Sequence, residues 1–445
     1  MGDWFRAAGY RTHYRGKWHI SHADLIPAGT HLGLMTNDRD GNVLADTVDL
    51  YRRADRLDPF GFSGWIGREP HGPDPADTGI VRDPLIADQV CELFATLEAE
   101  CDDGRPWLAV ASFVNPHDIA FSGFGWEVLG FPAIDATVPD VNEAPSQADG
   151  FDGRPTCHQQ FRDLWPQLLY PQPTDNTYRR LYLWLHQLVD RAIERILDGL
   201  DSSGFAEETI VVLTSDHGDM VGAHGGMQQK WHVAYDEAIR VPLLISGPGI
   251  APSAEGLHLP TSHVDLLPTL LGLVGVDPGS VADKVAEHHI EAQGLVGRDL
   301  SRLITGEVDP STLEAPVYFT TEDQISAGLQ DRNRFTGQPF TPVAAPAKIE
   351  SVIAPLPGDA GAEPHLWKLN HYYDRLSEWE EAHGVAAPLG APTEAVESQW
   401  ELYDLTADPE ERANLAASAV APVDRLRAVL ASAREGNRRL PLHRG

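Results

Sequence analysis

Cysteine is nearly absent from this chain: Cys91, Cys101 and Cys157 are the only three in 445 residues. An odd number, widely spaced and in no metal-ligand pattern, argues against a disulfide framework and favours buried thiols in a reducing compartment. Lysine is also scarce, with five against 29 arginines. Positive charge as a whole is in deficit, because 34 Lys and Arg stand against 66 Asp and Glu for a formal net charge of −32. That balance argues against a nucleic-acid backbone or an anionic membrane as partner, and an anionic ligand would need local positive charge. Long apolar runs are missing too: none approaches the roughly 20 residues of a membrane span. Asp3, Arg6 and Arg11 interrupt the first twenty residues, where a secretory signal needs an apolar centre. The expectation is a cytoplasmic protein with neither nucleic-acid nor membrane partners.

What is present reads as an ordinary globular chain, long enough for one large α/β domain with a smaller appendage. MGDWFRAA predicts the end of a short helix closed by Gly9, before a strand in THYRGKW. LIADQVCELFATLEAE has helical apolar spacing and feeds WLAVASFV, a strand-length apolar run ending at NPHD. The same unit recurs when the amphipathic stretch NTYRRLYLWLHQLVDRAIERILDGL precedes TIVVLTS, with DHGD at its end. VPLLISG is a further strand after a second short helix. Alternation of this kind predicts an α/β fold with a largely parallel sheet sandwiched by helices.

Ligands in such sheets bind beyond the carboxyl ends of the strands. Gly16–His19, Asn115–Asp118 and Ser215–Gly218 each follow a strand run directly, which places three polar clusters on one edge. Residues 121–173 are rich in Pro, Gly, Asp and aromatics and read as a long irregular insertion over that edge. Residues 325–363 are again Pro-, Gly- and Ala-rich and mark the expected boundary. The core is assigned to 1–325. A smaller α+β subdomain, 326–445, should hold strands in HLWKLNHYY and WELYDL and a helix over 422–434.

Taken residue by residue, each cluster supports two readings. Asp216 and His217 at a strand end can hold a divalent cation from adjacent positions; the same pair can be a helix N-cap beside a surface histidine. Lys17 and His19 lie two apart on a strand and point to one side, so they can reach one anion together, or they are solvated surface charge. Lys17 and Lys230, two of only five lysines, both fall in polar clusters, and a compact ammonium suits a tetrahedral oxyanion. His117 can protonate a leaving oxygen or serve structurally. His224 and His232 match no helical ligand spacing and read as loop residues or as supports behind the site.

The block SDHGDMVGAHGGMQQKWHVAYDEAIRVPLLISGPG resembles the sulfatase family of the alkaline-phosphatase superfamily. In the same order, GYRTHYRGKWHIS is similar to its Lys-and-His strand and FVNPHD to its leaving-group histidine segment. SHVDLLPTLLGLVGV with GRDLSRLI resembles the end of its core, and WELYDLTADPEERANLA its closing segment. The resemblance implies an alkaline-phosphatase-like fold and hydrolysis of a small sulfate ester. Asp216 and His217 would be ligands of one divalent metal, calcium or, with His in place of the more usual Asn, manganese or another transition metal. Lys17 and Lys230 would grip sulfate oxygens, His19 would act on the nucleophile's hydroxyl, and His117 would be the acid toward the departing alcohol.

The family also carries a first strand with paired metal-binding aspartates and a C/S-x-P-x-R motif oxidised to formylglycine, the nucleophile. Neither occurs in these 445 residues, and none of the three cysteines fits the motif. The resemblance therefore implies a sulfatase sequence lacking its N-terminal portion, through a misplaced start or a truncated gene, with weak metal affinity and impaired turnover. Two other functions fit the same residues: a phosphonate or phosphodiester hydrolase of the same superfamily, and a non-catalytic remnant that binds an anion or a partner protein.

Overall fold

The computed structural model describes residues 1–70, 74–100, 104–253, 256–287, 289, 294–310, 316–323, 325–326, 332–333, 336–344, 346–358, 363–374 and 397–437. A short helix, Gly2–Ala7, ends at Gly9, whose φ of 94° is the left-handed conformation expected of a helix-terminating glycine. The strand β1, Arg11–Gly16, follows. Its burial alternates, with Thr12, Tyr14 and Gly16 inward and Arg11, His13 and Arg15 half-buried. β1 pairs in parallel with β2, Trp107–Ser112, in the register Arg11↔Trp107 to Gly16↔Ser112.

Helices α1, Ala45–Ala54, and α2, Gly79–Ala99, lie between these strands in sequence. α2 begins six residues before the apolar spacing indicates, since it carries Pro84 within its first turns. Next come α3, Thr156–Leu168, and the long α4, Asn176–Asp201, whose N-cap Asp175 accepts from the Thr177 amide. α2 and α4 pack along each other. β3, Val211–Thr214, pairs with β4, Leu243–Ser246, and this pair runs antiparallel. Where the alternation of elements predicts a largely parallel sheet, the described core strands form one parallel and one antiparallel pair. Trp107 of β2 and Val211 of β3 lean on the same Val90–Phe94–Leu200 cluster, so both strand pairs rest on the α2–α4 layer. They are not hydrogen-bonded to each other. Leu244 stays 62% exposed.

After α5, Leu266–Leu273, and α6, Pro278–Ala286, the chain builds a second sheet in the order β5-β6-β7-β8, antiparallel throughout. Its strands are Val317–Thr321, Lys348–Leu356, His365–Tyr373 and Gln399–Asp404, and α7, Val420–Asn437, packs on it through Val423, Leu426 and Leu430. β7, β8 and α7 match the sequence expectation. β5 and β6 do not: β5 joins this sheet ahead of residue 326, and β6 lies inside the region read as a boundary. The insertion 121–173 likewise contains α3, whose Cys157, Phe161, Leu164, Trp165 and Leu168 are buried at helical spacing. Cys91 and Cys157 are free thiols, and Cys101 lies outside the described residues. Among the described residues no single helix is long and apolar enough to cross a membrane.

The largest core cluster joins α3, the segment 220–238 and the second sheet through Tyr372 and Tyr403. The C-terminal sheet is thus packed against the segment that carries Lys230.

Candidate active site

Three strand ends supply the site. At the first, the Lys17 amide donates to Ser112 O at 2.9 Å, so this residue extends the β1–β2 ladder by one step. Gly16 before it has φ 95°, and a Cβ there would lie 1.9 Å from Ser112 O, so only glycine lets β1 close on β2. Trp18 is buried beside Tyr14 and donates its amide to Glu69 Oε2 at 2.9 Å, and Tyr14 Oη donates to Lys17 O at 2.7 Å. Lys17 is held on both sides. The expected strand does not extend this far: β1 ends at Gly16, and His19 follows in a left-handed conformation, φ 51°, with its side chain exposed, so strand alternation does not aim it to the side of Lys17.

At the end of β3, Asp216 Oδ1 accepts from the His217 amide at 2.9 Å. His217 Nδ1 donates to Gly218 O at 2.8 Å; a carbonyl only accepts, so the proton is on Nδ1 and the Nε2 lone pair is left free. That lone pair meets the Lys230 ammonium, and Asp216 Oδ2 lies 3.3 Å from the same nitrogen. Asp216 is exposed at the mouth of the cluster. Partial loss of water pushes its carboxyl up, yet His217, Lys17 and Lys230 outweigh this and hold it below the usual range. Partial burial, with Lys230 beside it, lowers His217, which is therefore neutral near pH 7.

The segment 221–232, which contains Lys230, is strained. Val221, His224, Gln229 and His232 all have φ between 44° and 63°. Left-handed backbone in non-glycine residues persists only where surrounding contacts over-determine it, and such residues cluster at functional sites. His224 stacks on Tyr235 at 3.7 Å, and His232 is buried against Phe161. Both are packing residues, in keeping with their loop assignment.

The third end carries His117, which begins a 3₁₀ helix, His117–Phe121, with its ring edge-on to Phe121 at 6.5 Å. The loop before it is fixed by a residue the sequence did not single out: Asp83 of α2 accepts from the Val114 and Asn115 amides at 2.7 and 3.1 Å. Asp118 accepts from the Ile80 amide at 3.2 Å and is close enough to Lys17 to feel its charge. Asp216, His217 and Lys230 are joined by direct contacts, and Lys17 is near enough for its charge to act on all three. His19 and His117 share the same strand-end edge, placed there by position in the chain.

Burial drives the Asp83 carboxyl up to about 8 and that of Asp118 to about 6. Asp83 in the folded protein therefore keeps its proton over a window, roughly pH 4 to 8, in which the unfolded chain has released it, so stability falls as pH rises through that window. Burial of His13, His158 and His232, each lowered to about 4, acts oppositely but only below about 6.5. Between pH 6.5 and 8, Asp83 should cost about 1–2 kcal/mol. Glu411, raised to about 7, adds to the lower half of that interval. Asp83→Asn should flatten most of this decline in denaturant midpoints measured across the interval; an unchanged slope would contradict the assignment.

Calcium takes six to eight oxygen ligands. Among the described residues no group of three or more His, Cys, Asp or Glu side chains is placed to hold a metal ion. Asp216 and His217 alone do not complete such a shell, and the free nitrogen of His217 faces an ammonium.

The sequence model of the sulfatase family matches residues 1–276, more than half of the chain. The chain belongs to the sulfatase family. It is 29% identical over 279 residues to a choline-sulfatase of Rhizobium meliloti, covering 61% of this chain and 51% of that one. It is 28% identical over 281 residues to the uncharacterized sulfatase YidJ of Escherichia coli, covering 62% and 52%. The chain thus spans about half the length of these curated relatives. Among solved structures, a 2-O GAG sulfatase superposes with a TM-score of 0.59 over 98% of this chain and 73% of the other, at 19% identity. That likeness establishes the alkaline-phosphatase-like fold of this sulfatase-family chain.

Proposed function

We propose that this sulfatase-family chain carries the oxyanion-binding half of a sulfuric ester hydrolase site and that its own turnover is impaired. The observation that carries the reading is the contact of Lys230 with His217, and of His217 with Asp216, beyond the end of β3, with the charge of Lys17, at the end of β1, acting on all three. Lys17 and Lys230 hold the sulfate oxygens as point charges. His117 would protonate the departing alcohol oxygen, and His19, two residues after Lys17, would handle the nucleophile's proton. The substrate is a small sulfate ester. A metal at Asp216 and His217 would polarise a sulfate oxygen, but two donors do not form its shell, and the residues above are assigned no step through it.

No C/S-x-P-x-R occurs in the sequence. Loss of one essential member of a catalytic constellation commonly costs about four to six orders of magnitude in rate. The purified 445-residue chain should therefore show no turnover of nitrophenyl sulfate above background, with or without added Ca²⁺ or Mn²⁺. Turnover that persists through purification and disappears in Lys17→Ala would overturn the impairment. Parallel assays with nitrophenyl phosphonate and phosphodiester substrates check the choice of sulfate.

A further inference from the structure

We propose that Glu401 and Lys368, both from the C-terminal sheet, are positioning residues for Lys230, an inference that rests on reading Lys230 as an oxyanion ligand. Both side chains are fully buried. Glu401 of β8 receives four hydrogen bonds: Tyr235 Oη and Tyr403 Oη donate to Oε1 at 2.9 and 2.7 Å, and Asn370 Nδ2 and Tyr372 Oη donate to Oε2 at 3.1 and 3.0 Å. Lys368 of β7 donates to Ala234 O at 3.0 Å and to Asp236 Oδ1 at 2.5 Å, and its ammonium lies 2.8 Å from Glu411 Oε1. Glu411 Oε2 in turn accepts from the Asp236 amide at 2.7 Å. Three consecutive residues, Ala234, Tyr235 and Asp236, are therefore clamped by ionised groups from the second sheet.

The clamp reaches the site in two directions. Upstream, four residues separate Tyr235 from Lys230, and one of them, His232, is held at φ 60°. The Lys230 ammonium lies 5.1 Å from the centre of the Trp231 ring. Downstream, Ala238 O accepts from the Gly218 amide at 2.8 Å, and a Cβ on Gly218 would lie 2.0 Å from Glu237 O. Gly218 is the neighbour of His217. The two partners in the Lys230–His217 contact thus hang from opposite ends of one clamped segment. Tyr235 cannot turn, because its ring is stacked on His224, whose nitrogens meet Arg154 Nη1 at 2.7 Å and Glu237 Oε2 at 3.3 Å.

Burying ionised groups is a poor route to stability, since desolvation offsets most of the attraction; what such groups supply is one defined arrangement. Burial pushes the Glu401 carboxyl up, but adjacent His158 and the hydrogen bonds from Tyr403, Asn370 and Tyr235 outweigh that and keep it below the usual range. Glu411 and Asp236 outweigh burial at Lys368, which stays above the usual lysine range. Both groups are charged near pH 7, as a clamp of this kind requires.

The chain's five lysines allow a direct test by NMR of ¹³Cε-lysine-labelled protein titrated with sulfate. Sulfate should move the Lys17 and Lys230 signals of the unmodified protein; if it moves neither, the oxyanion reading fails and this inference with it. In sulfate-free Tyr235→Phe and Glu401→Gln, the Lys230 signal should shift while that of Lys17 stays in place, and sulfate affinity should fall at least five-fold. Glu350→Gln removes a different buried carboxylate of the same sheet, the partner of Arg434, and should leave Lys230 where it is. Folded variants with unchanged Lys230 signal and affinity would overturn the inference while sparing the oxyanion reading. So would a Lys230 shift of equal size in Glu350→Gln, or equal shifts of Lys17 and Lys230. If Glu401→Gln does not fold, Tyr235→Phe decides, because it removes one of four donors and keeps the ring.

Discussion

Lys368→Met is expected to destabilise the protein by about 3–5 kcal/mol, the cost typical of breaking a buried ion pair from one side. The side chain is fully buried, and its ammonium serves Ala234 O, the Asp236 carboxylate and the Glu411 carboxylate. Methionine fills similar space but leaves two acidic groups facing each other in a dry setting. Glu411 is already pushed up to about 7 by burial, so it would take a proton first. The thermal midpoint should drop by roughly 3–5 °C, at about 1 °C per kcal/mol for a chain of this length. Lys368→Met/Glu411→Gln should recover a large part of the loss, because neutralising the orphaned partner removes most of the penalty. An unchanged midpoint in the single variant would show that the ion triad carries no weight.

Much of the α/β core is legible in the residues themselves. β2 and β3 are short apolar runs, β1 alternates, and α4 carries a clear helical stripe, so type and order follow from periodicity. The C-terminal sheet is half legible. β7 and β8 are aromatic-rich, whereas β6 buries Glu350 and Ser351 and contains Pro355, a composition that mimics a linker. Tertiary partners decide there: Glu350 pairs with Arg434 of α7, and that pairing has no local signature. α3 was hidden in the same way, since Pro155 precedes it and Pro166 lies within it.

The site divides similarly. Lys17, Asp216, His217 and Lys230 stand out because each follows a strand or falls in a dense polar cluster. Asp83 does not, since an aspartate inside a helix reads as a solvated face, and its role depends on amides 31 and 32 residues away. Glu401 and Lys368 act over still longer separations, 166 residues to Tyr235 and 132 to Asp236. Nothing in local spacing can announce such contacts.

Lys17→Ala and Lys230→Ala are each expected to remove one charge-assisted contact to a bound sulfate, worth about 1.5–3 kcal/mol. That corresponds to a loss of roughly 10- to 150-fold in affinity. The lysines come from different parts of the chain, Lys17 at the end of β1 beside Gly16 and Trp18 and Lys230 in the segment that leads to the clamped residues 234–236, so each variant should leave the other lysine in place. A calorimetric titration of the 445-residue protein with sulfate, beside both variants, is the most direct test that these residues form one oxyanion site. The account predicts a single saturable site in the unmodified protein, weakened at least ten-fold in each variant. A protein with no saturable site, or with one whose affinity both substitutions leave unchanged, would contradict it.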